Sequence, residues 1–344
     1  MAKLTIEDVA KLAGVSTATV SRAIHFPGML RKHTLERVLK VMSEHDYIYN
    51  ATAGDLSRRK SSVLGAFIPT TESAKLSATL IAVQDVVNSS GYPLIINNTL
   101  FDPDRERMQL RQCRERSLSG LVFIGYMAQN EPVILEMVRD GVPCVFLWDT
   151  MPGTEFHYVG FNNYEASYKV TRHLIDLGHR RIAFVGAMYS LVHRVRKRLE
   201  GYLGALRDYG VNSAPEYICE YQPTLDNGRV AMRRLLALDE PPSAVFCASD
   251  MLAIGAMTAC RQAGLRVPLD ISVAGFDDIE FAAYANPALT TLNVPSQEMG
   301  RLAGQTLIEL VKNGTGRPHQ HCLETTLVVR ESCSPPARRR AGRD

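Results

Sequence analysis

Disulfide bridges and structural zinc are the first features that the sequence argues against. The 344-residue chain has seven cysteines, an odd number, scattered along the chain without a C-x-x-C pair. Disulfide frameworks and zinc sites both need cysteines at short, paired spacings. We therefore expect reduced thiols and no metal.

Long apolar runs are missing as well. The N-terminal segment MAKLTIEDVA lacks the apolar run of a signal peptide, and no stretch approaches the roughly eighteen consecutive apolar residues of a membrane span. A composition of 46% hydrophobic and 22% charged residues is typical of a globular protein with an ample core. We expect a cytoplasmic protein with no membrane partner and with two or three domains.

Common enzyme signatures are also missing. The sequence has no G-x-G-x-x-G, no G-x-x-x-x-G-K-[ST], no G-x-S-x-G and no H-E-x-x-H. His173 and His179 lie six residues apart around one predicted helix end, which favours a structural pair over metal ligands. We therefore expect no enzyme activity and no cofactor.

Charge is distributed unevenly. Residues 1–60 carry ten Lys and Arg against six Asp and Glu, while the whole chain has a net charge of +3. A basic head suits contact with phosphate groups, although a solvated surface explains the same charge.

Helical spacing predicts two short helices at the start of the chain. Thr5 and Asp8 approximate a capping box, and apolar residues recur at helical spacing until Gly14, which ends the first helix. Ser16 is a good N-cap for a second helix. A tight glycine turn between two short helices indicates a helix-turn-helix.

The second helix has a small, polar outer face. Thr17, Ala18, Ser21 and Arg22 share this face, whereas Val20, Ala23 and Ile24 face inward. In a helix-turn-helix these outer residues approach base edges in the major groove. A helical cap or an oligomerisation hairpin is the alternative.

A third helix completes the head. Its predicted inward face consists of Leu35, Val38, Leu39 and Met42. Fewer than fifty residues bury little apolar surface, so this head needs all three helices.

The rest of the chain alternates apolar runs with amphipathic stretches. The predicted strands are Val63–Ile68, Leu94–Asn97, Gly120–Ile124, Cys144–Leu147, Ile182–Val185, Tyr217–Tyr221, Ala244–Cys247 and Ile271–Ala274. Predicted helices near 76–90, 103–116 and 131–140 lie between the first four strands. This alternation predicts two doubly wound parallel sheets, with a ligand pocket between the two lobes.

The string TIEDVAKLAGVSTATVSR, which runs from Thr5 to Arg22, closely resembles the head of the lactose/galactose repressor family, and so does the segment from Tyr47 to Leu56. The resemblance implies that two heads of a homodimer read a pseudo-palindromic stretch of double-stranded operator DNA. It also implies that the segment from Asn50 to Arg58 becomes a hinge helix on DNA, where Leu56 wedges into the minor groove. Tyr49 and the pair Gly54-Asp55 depart from the family pattern.

These patterns together assign a set of DNA contacts to the head and hinge. Arg31 stands where the family has a capping serine, and we expect it to donate to a phosphate instead. The expected DNA-binding residues are Thr5, Ser16, Thr17, Ala18, Ser21, Arg22, Arg31, Asn50, Ala53 and Leu56.

The body resembles the same family over nearly its whole length, through HLIDLGHRRIA from His173, ASD from Ala248, ISVAGFDD from Ile271 and LTT from Leu289. The resemblance implies an α/β fold like that of periplasmic binding proteins. The expected divisions are a helix-turn-helix domain (1–46), a hinge (47–61), a two-lobed body (62–331) and a basic disordered tail (332–344). The first lobe is expected at 62–160 plus 292–321, and the second at 161–291 plus 322–331.

Six effector contacts follow from the resemblance, namely Trp148, Asp149, Phe161, Arg198, Ser249 and Asp277. Their chemistry suits a polyol, because carboxylates accept from hydroxyl groups, arginine donates in fixed geometry and an aromatic face stacks on a sugar ring. Asp149 lies one place later than the family pattern, and Ser249 replaces a common asparagine. Structural alternatives remain: Asp277 as a turn cap, Arg198 in a solvated run of basic residues, and Trp148 in the core.

The stretch VGFNNYEA from Val159, together with Trp148-Asp149, looks most like the gluconate-repressor branch, and the basic cluster around Arg198 suits a carboxylate. The expected function is transcriptional repression controlled by a small sugar or a gluconate-like sugar acid. The alternatives are a soluble sugar-binding protein with no DNA role and a regulator of another type, either an effector-dependent activator or one for which the effector is a corepressor. The tail has no leucine heptad for a tetramer, which favours a dimer.

Overall fold

The computed structural model describes residues 4–25, 27–49, 61–186, 190, 192–314 and 316–337. The chain divides into two units, Met1–Ser61 and Ser62–Asp344. Of the helices in the described part of the chain, none is both long enough and apolar enough to cross a membrane.

The first unit contains three helices, α1 (Ile6–Ala13), α2 (Thr17–His25) and α3 (Lys32–Glu44). Their shared core consists of Val9, Ala10, Ala13, Val20, Ala23 and Val38. The prediction for Leu39 was wrong, because this side chain is 46% exposed. Leu39 follows Val38 directly and is therefore turned about 100° around the helix, whereas Val41 and Met42 lie on the side of Val38 and pack against the core.

The second unit contains two lobes, and the chain forms most of the first lobe before it enters the second. The helices of this unit are α4 (Ala74–Ser89), α5 (Pro103–Glu115), α6 (Glu131–Arg139), α7 (Asn163–Asp176), α8 (His193–Asp208), α9 (Leu225–Leu236), α10 (Asp250–Gln262), α11 (Glu280–Tyr284) and α12 (Ser296–Asn313). The strands are β1 (Leu64–Ile68), β2 (Leu94–Asn98), β3 (Gly120–Phe123), β4 (Cys144–Leu147), β5 (His157–Gly160), β6 (Ile182–Gly186), β7 (Ile218–Glu220), β8 (Ala244–Cys247), β9 (Ser272–Ala274), β10 (Thr291–Asn293), β11 (Gln320–Cys322) and β12 (Thr326–Val328).

Two parallel sheets organise these elements. The sheet of the first lobe has the order β11-β5-β4-β3-β1-β2, and the sheet of the second lobe has the order β7-β6-β8-β9. All eight predicted strands are confirmed, with ends that differ by at most one residue. Buried apolar side chains line them because both faces of a parallel sheet are covered by helices.

Three chain crossings join the two lobes. The chain leaves the first lobe after β5, returns after β10 to form α12, and crosses again after β11. β10 and β12 pair antiparallel beside the crossings, with Leu292 opposite Leu327. Gly125 and Asp149, which follow β3 and β4 of the first lobe, contact α8 of the second lobe. The carboxyl ends of these strands therefore face the boundary between the lobes, which is where open α/β sheets bind ligands.

The C-terminal segment was expected to be disordered from residue 332 onward, but its first residues pack against the body. Ser332 is fully buried, and its hydroxyl donates to the carbonyl of Val273 in β9. His179 contacts the Ser334 carbonyl through Nε2 at 2.9 Å. The segment therefore packs on the second lobe as far as the described residues reach, at residue 337.

Candidate functional site

The capping box at the start of α1 is formed as the sequence predicts. The backbone N–H and hydroxyl of Thr5 donate to the Asp8 carboxylate at 2.9 and 2.7 Å, and the Asp8 N–H donates to the Thr5 hydroxyl at 3.3 Å. Hydrogen bonds from Thr5 lower the pKa of Asp8. Gly14 ends the helix with a φ of 60°, a left-handed conformation that glycine adopts without strain.

The outer face of α2 is open to solvent. Ser16 caps the helix by accepting from the Thr19 N–H at 3.2 Å. Thr17, Ala18 and Arg22 are exposed, and Ser21 is half-buried. These short side chains and one long cation leave room for a close approach to a groove in DNA.

Arg31 precedes α3 as its N-cap, is exposed, and makes no side-chain capping hydrogen bond. An arginine has no acceptor to offer to the first N–H groups of a helix. The guanidinium is thus available for a phosphate. The expected contacts Asn50, Ala53 and Leu56 lie outside the described residues.

Arg198 lies on α8 at the centre of the body and is held on several sides. Its Nε donates to Asn163 Oδ1 and its Nη1 to the Ala248 carbonyl, both at 2.9 Å. The guanidinium carbon lies 3.7 Å from the ring centroid of Phe276 and 6.0 Å from that of Phe161, so cation–π contacts add to these bonds. Burial lowers the pKa of Arg198 to about 10.

Asp277 follows β9 and has a φ of 112°, which is unusual for a residue other than glycine. Its N–H donates to the carbonyl of Leu292 in the crossing strand β10 at 2.9 Å. Burial raises the pKa of its carboxyl to about 6, against the opposing charges of Arg198, Lys75 and Arg194. The residue therefore joins the cleft to a lobe crossing.

Ser249 and Asp250 lie at the start of α10. The Ser249 hydroxyl accepts from the Met251 N–H at 3.3 Å and so caps the helix. Asp250, which sequence analysis left without a role, is fully buried and accepts from the Ile279 N–H and the Thr291 hydroxyl. It ties α10 to the loop that holds Asp277.

Trp148 follows β4 of the first lobe and is buried in an apolar cluster to which both lobes contribute. The side chain is 2% exposed, and its indole N–H donates to the Thr79 hydroxyl at 3.2 Å. Its contact with the expected site is an edge-on one with Phe161, with ring centroids 6.1 Å apart. With so little exposed surface, Trp148 does not offer a ring face to a ligand in this arrangement of the lobes, and the expected stacking on a sugar ring stays a prediction.

Asp149 forms hydrogen bonds between the two lobes. It follows β4 in the first lobe and accepts from His193 and Lys197 of α8 in the second lobe, at 3.0 and 3.1 Å. Burial raises the pKa of this carboxyl, but His193 and Lys197 outweigh that effect and the pKa is lowered overall. Asp149 therefore links the end of β4 in the first lobe to α8 in the second.

A small cavity of about 20 Å³, room for about one water molecule, lies beside this contact. It is lined by Gly125, Tyr126, Phe146, Leu147, Asp149, Met151, Tyr158, Val192, His193 and Arg194. Arg194, to which the sequence assigned no role, is buried here, with 8% of its surface exposed. Arg194 and Arg198 are four residues apart and therefore share one face of α8. That spacing is the sequence signal that could have identified Arg194.

Comparisons with known proteins agree with this architecture. A family model described as bacterial regulatory proteins, lacI family, matches residues 5–50, and one described as a periplasmic binding protein-like domain matches residues 171–333. The ribose operon repressor of Haemophilus influenzae is 32% identical over 95% of this chain and 98% of its own.

Solved structures extend the similarity. A lac repressor dimer bound to operator and the anti-inducer ONPF has a TM-score of 0.84 at 26% identity, covering 97% of this chain and 100% of that one. The transcription regulator GntR of Chromobacterium violaceum has a TM-score of 0.72 at 30% identity, covering 78% and 98%. The chain described here belongs to the lacI family of bacterial regulatory proteins.

Proposed function

We propose that this protein is a transcriptional repressor that binds operator DNA as a homodimer and responds to a small carbohydrate effector. The observation that carries the proposal is the presence in one chain of a helix-turn-helix with an open α2 face and a two-lobed body with a cationic cleft. A sugar-binding protein with no DNA role would not need the first of these units.

The head supplies the DNA contacts in this proposal. Thr17, Ala18, Ser21 and Arg22 face base edges in the major groove, and Arg31 binds a phosphate. Two heads of a dimer contact half-sites about one helical turn apart. The hinge contacts Asn50, Ala53 and Leu56 stay part of the proposal on the strength of the sequence resemblance.

The cleft supplies the effector contacts. Arg198 and Asp277, whose charges interact, would offer donors and an acceptor to a polyol, while Phe161 and Phe276 beside Arg198 would supply apolar surface. Cationic side chains of α8 favour a sugar acid, and a gluconate-like compound is our first candidate. Ser249 is a weaker candidate contact because its hydroxyl already caps α10.

Regulation would follow from different effector affinities of two lobe arrangements. The Asp149 contact with α8 stabilises one arrangement, and a ligand in the cleft changes the relative stability of the two. A shift from 1:99 to 99:1 requires a preference of about ten-thousand-fold, or roughly 5.5 kcal/mol. We propose that effector binding releases the operator.

Selection from random duplex DNA with the full chain tests the DNA-binding part. We expect enrichment of a pseudo-palindrome, which is then used in fluorescence anisotropy. Arg22→Ala should weaken binding by at least about tenfold through loss of a base or phosphate contact. Arg111→Ala is the matched control, because it removes the same charge from an exposed position on α5 in the body. Equal affinity of the two variants would refute the assignment of α2.

A further inference from the structure

Arg194 is a buried cation without a hydrogen-bonding partner among the described residues. The side chain is 8% exposed, and none of the described acceptors lies in hydrogen-bonding position to its guanidinium. Arg198, one turn further along α8, is as deeply buried but has two acceptors and an aromatic face. Buried arginines without partners are rare because desolvating a charge is costly.

The opposite lobe is shaped to receive this side chain. The guanidinium of Arg194 lies against Gly125, which stands two residues after the end of β3. A Cβ atom at position 125 would clash with Nη1 of Arg194. Gly125 has a φ of 84°, a conformation that disfavours other residues. The first lobe therefore leaves a space where the Arg194 guanidinium reaches the cavity.

The charges around the cavity do not balance Arg194. Asp149 is already bonded to His193 and Lys197. Asp277 faces Arg198 and Lys75 as well as Arg194. Residues 187–189 and 191, which the structure does not describe, are Ala, Met, Tyr and Leu and contribute no carboxylate. Cations therefore outnumber carboxylates in this part of the cleft.

The start of α8 adds to the same positive field. The helix begins at His193, and its N-cap Val192 offers no side-chain acceptor to the first N–H groups. Helix N-termini attract anions through these N–H groups and the helix dipole. Arg194 thus lies in the first turn of a helix whose N-terminus lines the cavity.

We infer that Arg194 is a specificity-determining residue that receives the negative group of the effector, so that the effector is an anionic polyol bearing a carboxylate or a phosphate. The inference rests on the proposed function, in which the effector binds between the lobes. Arg198 and Asp277 bind its hydroxyl groups, and Arg194 selects against neutral sugars. Carboxylate and phosphate share the required chemistry, since both accept charge-assisted hydrogen bonds from arginine.

Thermal melting of the full chain tests this inference with probes that do not depend on the natural effector. Wild type, Arg194→Gln and the exposed control Arg196→Gln are melted in inorganic phosphate and in chloride of matched ionic strength. Inorganic phosphate should raise the melting temperature of wild type and R196Q, and the rise should vanish in R194Q. The same rise in R194Q, or no rise in wild type, would overturn the inference.

Titration calorimetry with gluconate, 6-phosphogluconate, glucose 6-phosphate and glucose then identifies the anionic group. Loss of a hydrogen bond to a charged group corresponds to a roughly 10- to 100-fold weaker Kd in R194Q for the anionic ligand that binds. Binding of gluconate alone assigns a carboxylate, and binding of glucose 6-phosphate assigns a phosphate. Glucose binding equally to wild type and R194Q would overturn the inference while leaving an effector site in place.

Operator binding separates this inference from the proposed function. R194Q should bind the enriched pseudo-palindrome as wild type does in the absence of ligand, and should lose only the response to the anion. If the anion response of R194Q matches that of wild type while DNA binding is intact, Arg194 has no part in effector recognition and the repressor assignment is unaffected.

Discussion

Replacing Arg194 by methionine should stabilise the ligand-free protein, whereas the same replacement at Arg198 should destabilise it. Methionine keeps much of the length and apolar stem of arginine but removes the charge and all donors. The two arginines lie one turn apart on α8, and burial lowers the pKa of each to about 10. They differ in their hydrogen-bonding partners.

The size of each contribution to the free energy of unfolding decides whether each substitution stabilises or destabilises the protein. A lowering of the pKa to about 10 corresponds to about 3 kcal/mol against the charged form, which either substitution removes. Arg198→Met also leaves Asn163 Oδ1 and the Ala248 carbonyl without their donors, at about 2 kcal/mol each. It loses a further ~1 kcal/mol of cation–π contact with Phe276. We expect Arg194→Met to gain up to about 3 kcal/mol and Arg198→Met to lose about 2 kcal/mol.

Urea unfolding of the ligand-free full chain measures this difference. Trp148 is the only tryptophan and lies in the body core, so its fluorescence reports on that unit. Arg196→Met, at an exposed position on the same helix, should leave the free energy of unfolding within about 0.5 kcal/mol of wild type. Equal destabilisation by R194M and R198M would refute the claim that Arg194 is unpartnered.

Three further predictions concern other residues of the body. Glu106 is fully buried, and burial raises its pKa from 4.5 to about 7. Its protonated form therefore contributes to the free energy of unfolding below about pH 4.5, and this contribution is lost as the pH rises through 7. Glu106→Gln should flatten the dependence of melting temperature on pH, and an unchanged profile would contradict this. Gly125→Ala should lower the free energy of unfolding, measured in urea, by about 1–2 kcal/mol because the residue has a positive φ. It should also weaken binding of the anionic ligand in calorimetry, because the added Cβ displaces the Arg194 guanidinium, and unaltered binding would be the contrary result. Asp278→Asn removes the 2.7 Å ion pair with Arg330 beside β10. We expect the variant to bind ligand with unchanged affinity, while the change in operator affinity that ligand causes, measured by anisotropy, becomes smaller. A change as large as that of wild type would refute a role for this pair.

Local sequence patterns predicted the head and the strands well because short-range physics fixes them. Thr5 and Asp8 lie within one helical turn of each other, and the Gly14 N–H bonds back by three or four residues to Ala10 and Lys11, so local spacing alone indicates the capping box and the glycine end. The buried strands have apolar runs bounded by turns. The missed strands β5, β10, β11 and β12 are three or four residues long with mixed polarity, so they carry no such signal.

Long-range packing determines the parts of the site that the sequence did not indicate. Trp148 was expected to stack on a ligand, but only the fold shows that α4 brings Thr79 to its indole N–H. The sequence assigned Arg194 no role of its own, because it stands beside the basic residues Arg196, Lys197 and Arg198. Its burial depends on contact with Gly125 in the other lobe, nearly seventy residues away in the chain, which local periodicity does not reveal.

The most direct test of ligand-controlled DNA binding is fluorescence anisotropy of the full chain on its enriched pseudo-palindrome, with and without each compound that raises its melting temperature. The account predicts that an anionic polyol weakens operator binding by at least about tenfold, since a ligand that prefers one lobe arrangement must shift the DNA equilibrium. A compound that binds the body tightly and leaves operator affinity unchanged would contradict it.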